Sequence, residues 1–168
     1  MRVFTEIQKF DQWWLKLLMF LVFGTTFVPI ILSYSDVAPD ELNSFLLTVI
    51  PVALITVAVS TSIFFIKLKT KIDESGIHYG FWPFQKNLRT AYWHEIDSCY
   101  VRKYKPITEF GGWGYKFSLK NQGKVYNTKG NMGVQIVFKN STRTLVGTQK
   151  PEEAQRMIDK FTSKATLL

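Results

Sequence analysis

The chain has 168 residues, 46% of them hydrophobic, with a formal charge of +8 and a single cysteine. Apolar residues and charge are segregated: from Lys67 onward there are eighteen Lys or Arg against eight Asp or Glu, whereas residues 1–16 sum to +1 and residues 33–45 to −3. The split excludes one uniform globule and indicates a membrane part followed by a basic soluble part, while the lone thiol of Cys99 excludes an internal disulfide framework and suits a reducing compartment.

Two uncharged runs come first, Leu17–Ser35 and Leu42–Ile66. Each matches the ~20 residues that carry a helix across ~30 Å of hydrocarbon, so membrane helices are predicted over about residues 13–34 and 44–66. Pro29 and Pro51 fall inside these runs. In a bilayer, neighbouring helices and Ser or Thr hydroxyls satisfy the carbonyls that proline frees, and Thr25, Thr26, Ser60, Thr61 and Ser62 are candidates for hydrogen bonds to another helix. Two buried helices of a soluble core are the competing reading, but soluble helices of this length carry a polar stripe. A signal peptide is another, but the first run has no clear small-x-small site and a second run follows at once. Charge is absent between Leu17 and Ile66 outside the connecting segment, which argues against a self-contained ion or proton path.

Orientation follows from the basic residues. The connecting segment holds Asp36, Asp40 and Glu41 and no Lys or Arg; the outer flanks carry Arg2, Lys9 and Lys16 on one side and Lys67, Lys69 and Lys71 on the other. The positive-inside rule places both termini in the cytoplasm. Trp13 and Trp14 then fall at the inner interface and Tyr34 at the outer one. The domains read as residues 1–66, an N-terminal cytoplasmic segment with two membrane helices, and residues 67–168, a cytoplasmic domain.

The period changes directly after the second span. Leu68, Thr70 and Ile72 alternate with Lys67, Lys69 and Lys71, a half-buried strand with three lysines on one face. These membrane-proximal lysines enforce topology and stand within reach of anionic headgroups, where each basic residue contributes roughly 1 kcal/mol. A turn at residues 74–76 leads to IHYGFWPF, and further strand-like runs follow at residues 88–93, 98–104, 114–119, 124–129, 132–139 and 143–148, with the turn signals NQG, KGN and KNST between several of them. PEEAQRMIDKF is different: Pro151 suits a first helical position, Glu152 and Glu153 suit the positive end of the dipole, and Ala154, Met157, Ile158 and Phe161 share one face. The fold class is a membrane helical hairpin plus an α+β domain. That domain is a small bent antiparallel sheet or partly open barrel of seven or eight strands, with the C-terminal amphipathic helix over its open end.

On the segments WHEI (93–96), YKPITEFGGWGYK (104–116), YNTKGNMGVQIVF (126–138) and GTQKPEEA (147–154), the chain resembles the bacterial membrane-anchored proteins that carry a pleckstrin-homology-like (PH-like) domain. It departs at Lys116, where arginine is the commoner residue. The resemblance implies a fold, an anchor and a bacterial inner-membrane location, and it carries no established reaction and no catalytic residues.

The stretch EFGGWGYKF concentrates the functional question. Gly111, Gly112 and Gly114 permit positive φ or close backbone approach and read as a bulge or tight bend, with Pro106 and Glu109 in the preceding loop. The bend re-aims Trp113. Either Trp113 folds back over the end of the domain, or it presents an amphipathic ring to a partner or to lipid, with Lys103, Lys105 and Lys116 beside it. The stretch matches no phosphate-cradling loop, since a strand and not a helix follows it. His78, His94 and Cys99 match no zinc spacing, no Ser-His-Asp or Cys-His order stands out, and Glu95 with Asp97 is a common surface pair. A basic, aromatic-rich domain raises nucleic-acid binding, but no recognised motif supports it. The expectation is a non-catalytic membrane protein, without cofactor or metal, that recruits a partner or self-assembles. The partners expected are membrane lipids, a second copy or another membrane protein, and no nucleic acid. Alternatives are recognition of anionic phospholipid headgroups, or service as an accessory subunit of a transporter or envelope-stress complex.

Overall fold

The computed structural model describes residues 3–118 and 123–165. Arg2, Leu119 and the first two residues of the NQG turn signal lie outside them. The chain divides into two compact units, one of residues 10–65 and one that joins residues 1–9 to residues 66–168.

The first unit is a pair of helices, α1 (Trp13–Tyr34) and α2 (Leu42–Phe65). Both are apolar all round, and only Leu15 in α1 and Ser60 in α2 are buried. Leu47, Ile31 and Phe20 are among the large side chains left open to the surroundings. Two helices long and apolar enough to cross a membrane are therefore present, and the buried-core alternative fails because almost nothing covers them. The hydroxyls of Thr25, Thr61 and Ser62 donate to carbonyls of their own helices, to Leu21, Val57 and Val59 among others. Their protons are thus spent within the helix and not on a neighbour.

The second unit holds nine strands among the described residues. Strand β1 (Phe4–Lys9) precedes the helix pair; β2 (Lys67–Ile72), β3 (Gly76–Trp82), β4 (Arg89–Tyr92), β5 (Ile96–Lys103), β6 (Gly114–Phe117), β7 (Lys124–Asn127), β8 (Met132–Phe138) and β9 (Arg143–Gly147) follow it. All eight strand-like runs read after the second span form strands. The arrangement corrects the expected single bent sheet: there are two sheets, in the orders β1-β2-β3-β4 and β5-β8-β9-β7-β6, and they do not close into a barrel. Nor is the pairing wholly antiparallel, since β7 and β9 run parallel.

The β unit also begins earlier than Lys67. β1 pairs antiparallel with β2 from Phe4↔Ile72 to Lys9↔Lys67, so the helix pair is an insertion between two hydrogen-bonded strands. Phe4, Glu6 and Gln8 face inward. Gln8 Nε2 donates to the Gly147 carbonyl at 2.7 Å and its Oε1 accepts from Thr128 Oγ1 at 3.0 Å. Glu6 accepts from Thr148 Oγ1 and from the Gln149 backbone N–H, both at 2.7 Å. The N-terminal strand thereby joins its own sheet to the end of β9 in the other.

Helix α4 (Pro151–Ala165) packs against β5 and β8 of one sheet and β1 and β2 of the other. Ala154, Ile158 and Phe161 are buried as the helical spacing predicts, and Phe161 stacks on Trp93 at 6.0 Å. Gln155 Oε1 accepts the Val101 backbone N–H at 2.7 Å, which covers part of the β5 edge. The core between the sheets contains Leu68, Ile72, Ile77, Val125, Ile136 and Leu145, each essentially inaccessible.

Candidate functional site

The Trp113 region is built from β5, the following helix and the glycine turn. Pro106–Phe110 is a short helix, α3, and not the loop expected. Pro106 occupies its first turn, where a missing N–H costs nothing. Gly111 caps its C-terminus in the left-handed region, with φ of 72°. The Gly111 N–H donates to the Ile107 carbonyl at 2.8 Å and the Gly112 N–H to the Pro106 carbonyl at 2.9 Å, the bonding pattern by which helices satisfy their last carbonyls. Gly112 and Gly114 both have φ of 117° and turn the chain into β6. The glycines are thus a helix stop joined to a strand start.

Three anchors fix this turn. Glu109 accepts from Arg102 Nη2 at 2.9 Å and from the Lys105 backbone N–H at 2.7 Å, while Arg102 Nε donates to Gln135 Oε1 at 3.0 Å. Burial alone would raise the Glu109 carboxyl, but the Arg102 and Lys105 hydrogen bonds outweigh it and hold the group below its ordinary range. Phe110 and Tyr104 pack with Val125 and Leu145. The fully buried Asn127 donates to the Tyr104 hydroxyl at 2.9 Å and accepts the Gly114 N–H at 2.8 Å, so one amide links the aromatic core to the turn.

Trp113 is half-buried, and its indole N–H donates to the Gly130 carbonyl at 3.1 Å. It lines an open groove of about 480 Å³ together with Lys103, Lys105, Pro106, Ile107 and Asn131. The structure brings Trp113, Lys103 and Lys105 to one surface, beside an Ile107 side chain that is 66% exposed. Lys116 does not line the groove; its ammonium donates to the Gly111 carbonyl. The sequence reading missed Ile107, Asn127, Arg102 and the pairing role of Glu109. The signal available for the last two was their charge complementarity, but a separation of seven positions is too long for a direct helical pair, which forms at three or four.

The lysine row of β2 is only partly free. Lys71 pairs with Asp73 at 2.7 Å. The ammonium groups of Lys67 and Lys69 lie 5.7 and 5.5 Å from the Trp82 ring centre, within cation–π range. Trp82 is half-exposed and Phe84 is 75% exposed.

The remaining candidates stand apart. His94 is exposed on a 3-10 turn at Trp93–Glu95 and stacks on Tyr92. His78 contacts Asp73 Oδ1 at 3.1 Å and Thr90 Oγ1 at 2.9 Å. Burial works to raise Asp73, but hydrogen bonds from Lys71, Ser75 and His78 hold it well below the usual carboxylate range. Burial pushes the Cys99 thiol up to about 12, the opposite of an activated nucleophile. Among the described residues no three His, Cys, Asp or Glu side chains gather as a metal site.

Compared with known proteins, the chain matches no family model and no curated protein.

Proposed function

We propose that the chain is a non-catalytic integral membrane protein whose two apolar helices hold a PH-like domain at the cytoplasmic face, where the domain recruits another membrane protein or a second copy of itself. The observation that carries this reading is the insertion of α1 and α2 between the paired strands β1 and β2. A two-span hairpin flanked by strands that hydrogen-bond to each other leaves both flanks on one side. The acidic connector and the basic flanks make that side the cytoplasm.

The recruiting surface in this reading is the groove at α3. It combines an exposed aliphatic side chain, Ile107, with the indole edge of Trp113 and two lysines, the mixture of apolar centre and charged rim that protein interfaces use. Crosslinking in native membranes tests it, with a photoreactive residue at Ile107. A reproducible adduct that Trp113→Ala weakens is the expected result; monomer alone, under conditions where the reagent reacts, rejects the reading. A second reading, contact with anionic lipid, is favoured by Lys67 and Lys69 at the start of β2, Trp82 at the end of the strand paired to it and the exposed Phe84 in the turn that follows. Lys67→Gln with Lys69→Gln is then expected to expose the domain to protease in membranes while sparing its fold in detergent.

A further inference from the structure

A second, larger cavity of about 790 Å³ opens on another part of the β unit, between β3 and β4 on one side and β6, β7 and β9 on the other. Tyr79 and Tyr126 line it, as do Arg89, Lys124, Lys139 and Arg143, against a single carboxylate, Glu95. Among the described residues none of these four cations forms an ion pair. The Lys124 ammonium instead lies 5.7 Å from the centre of the Phe117 ring. Glu95 is already engaged, accepting the Tyr92 backbone N–H at 3.4 Å.

The buried wall adds an independent observation. Tyr126 is 1% exposed, and its hydroxyl has no hydrogen-bond partner; the Gln85 side chain stands near without bonding geometry. Burial pushes this phenol up to about 12 and raises Tyr79 as well, and the charge of Arg89 acts on both in the opposite direction. Both hydroxyls are therefore protonated at neutral pH; Tyr79 is engaged with Thr144, and Tyr126 is left to donate. A buried donor without a partner is unfavourable in an empty site, and four unpaired cations around one concavity repel one another. An anionic ligand relieves both.

We propose that this cavity binds a phosphate-bearing organic anion, with Arg89, Lys124 and Arg143 meeting the phosphate oxygens and the Tyr126 hydroxyl donating to the ligand. Several spread cations fit a multiply charged phosphate better than a single carboxylate, because guanidinium groups bind phosphate through paired N–H donors. Phe117 and Phe138, also in the lining, offer an apolar face to the ligand's body. The phosphate comes either from a soluble ester or from a lipid headgroup, and the experiment separates these sources.

The test uses the full chain in phosphatidylcholine nanodiscs, with ADP and inorganic pyrophosphate as soluble probes and nanodiscs containing phosphatidic acid as the lipid probe. The readouts are the thermal unfolding midpoint and, for the soluble probes, phosphorus NMR line broadening. A saturable rise with either source is expected. Arg89→Gln with Arg143→Gln should abolish it, and Arg156→Gln, a charge removed from α4, should not. Tyr126→Phe should weaken binding roughly tenfold without lowering the midpoint of the ligand-free protein, since it removes a hydroxyl that has no partner. A response to phosphatidic acid alone, with the same variant pattern, assigns the headgroup as the source. No response to any probe, an equal response to sulfate at matched ionic strength, or full binding by the Arg or Tyr variants overturns the proposal.

Discussion

Gly111 closes α3 from the left-handed region, yet a Cβ built there meets nothing within 4 Å. Gly111→Ala therefore carries the conformational cost alone, about 1–2 kcal/mol, and is expected to lower the thermal midpoint modestly. Gly123 differs. Its φ is 89° and a Cβ would lie 2.0 Å from the Arg143 carbonyl oxygen, a backbone atom that no rotamer change can move. Gly123→Ala must push the start of β7 from β9, and loss of the folded state in the same assay is expected; equal effects of the two substitutions would contradict the close approach. Cys99 gives a chemical check on its surroundings. The side chain is half-buried and its thiol is pushed up to about 12, so native alkylation by iodoacetamide at neutral pH should run much slower than in the urea-unfolded chain, and comparable rates would refute the raised thiol.

Among the elements, β1 decides how the β unit is held together, and it is the one strand the sequence did not reveal. Its inward positions are Phe4, Glu6 and Gln8, while Ile7 is 61% exposed, so the usual alternation of apolar-in and polar-out breaks down from Glu6 to Gln8. Glu6→Ala leaves the Thr148 hydroxyl and the Gln149 N–H without their acceptor, at about 1–3 kcal/mol for each group that stays buried. Faster hydrogen exchange in both β1 and the first turn of α4 is the expected readout; a change confined to β1 would mean that the strand does not couple the sheets. By contrast, β2 was legible because Leu68, Thr70 and Ile72 face a core and three lysines face out, and α4 because its buried positions follow helical spacing. Helix α3 was not, since five residues are too few to show a period, and neither was the parallel β7–β9 pair, because a single strand's pattern does not encode its neighbour's direction. Within the groove, Trp113 and its lysines could be read from the glycine stretch, but the Arg102–Glu109 pair that holds α3 depends on tertiary contact. That pair is sensitive to pH. The folded Glu109 carboxyl lies below its ordinary range, so the unfolded chain takes up the proton first as the pH falls. The stabilisation is complete above the ordinary value of ~4.3 and is lost below it, as the pH falls through the folded value. The fluorescence difference between the parent protein and Trp113→Phe should therefore hold steady to about pH 4 and collapse in stronger acid, and Arg102→Gln should move that collapse to higher pH.

For the whole molecule, placing α1 and α2 between β1 and β2 makes orientation and folding one problem. Six residue pairs, from Phe4↔Ile72 to Lys9↔Lys67, can form only if both ends of the helix pair emerge on the same face. Charge bias orients individual spans, whereas strand pairing couples the two ends. The two influences separate when Asp36, Asp40 and Glu41 are all replaced by lysine, which removes the charge difference between connector and flanks. If charge alone set the topology, some chains would carry their ends on opposite faces. Pairing of β1 with β2, reinforced by the Glu6 and Gln8 hydrogen bonds, disfavours that state, so the ends should switch together or not at all. Single cysteines at Ile7 and Glu152, both exposed, report the two ends in a Cys99→Ser background when an impermeant maleimide is applied to intact and then permeabilised cells. In the parent protein both positions should label only after permeabilisation; in the lysine variant they should share one fate. Labelling from opposite sides in a folded chain of either form would contradict the β1–β2 sheet and, with it, the proposed cytoplasmic position of the basic domain.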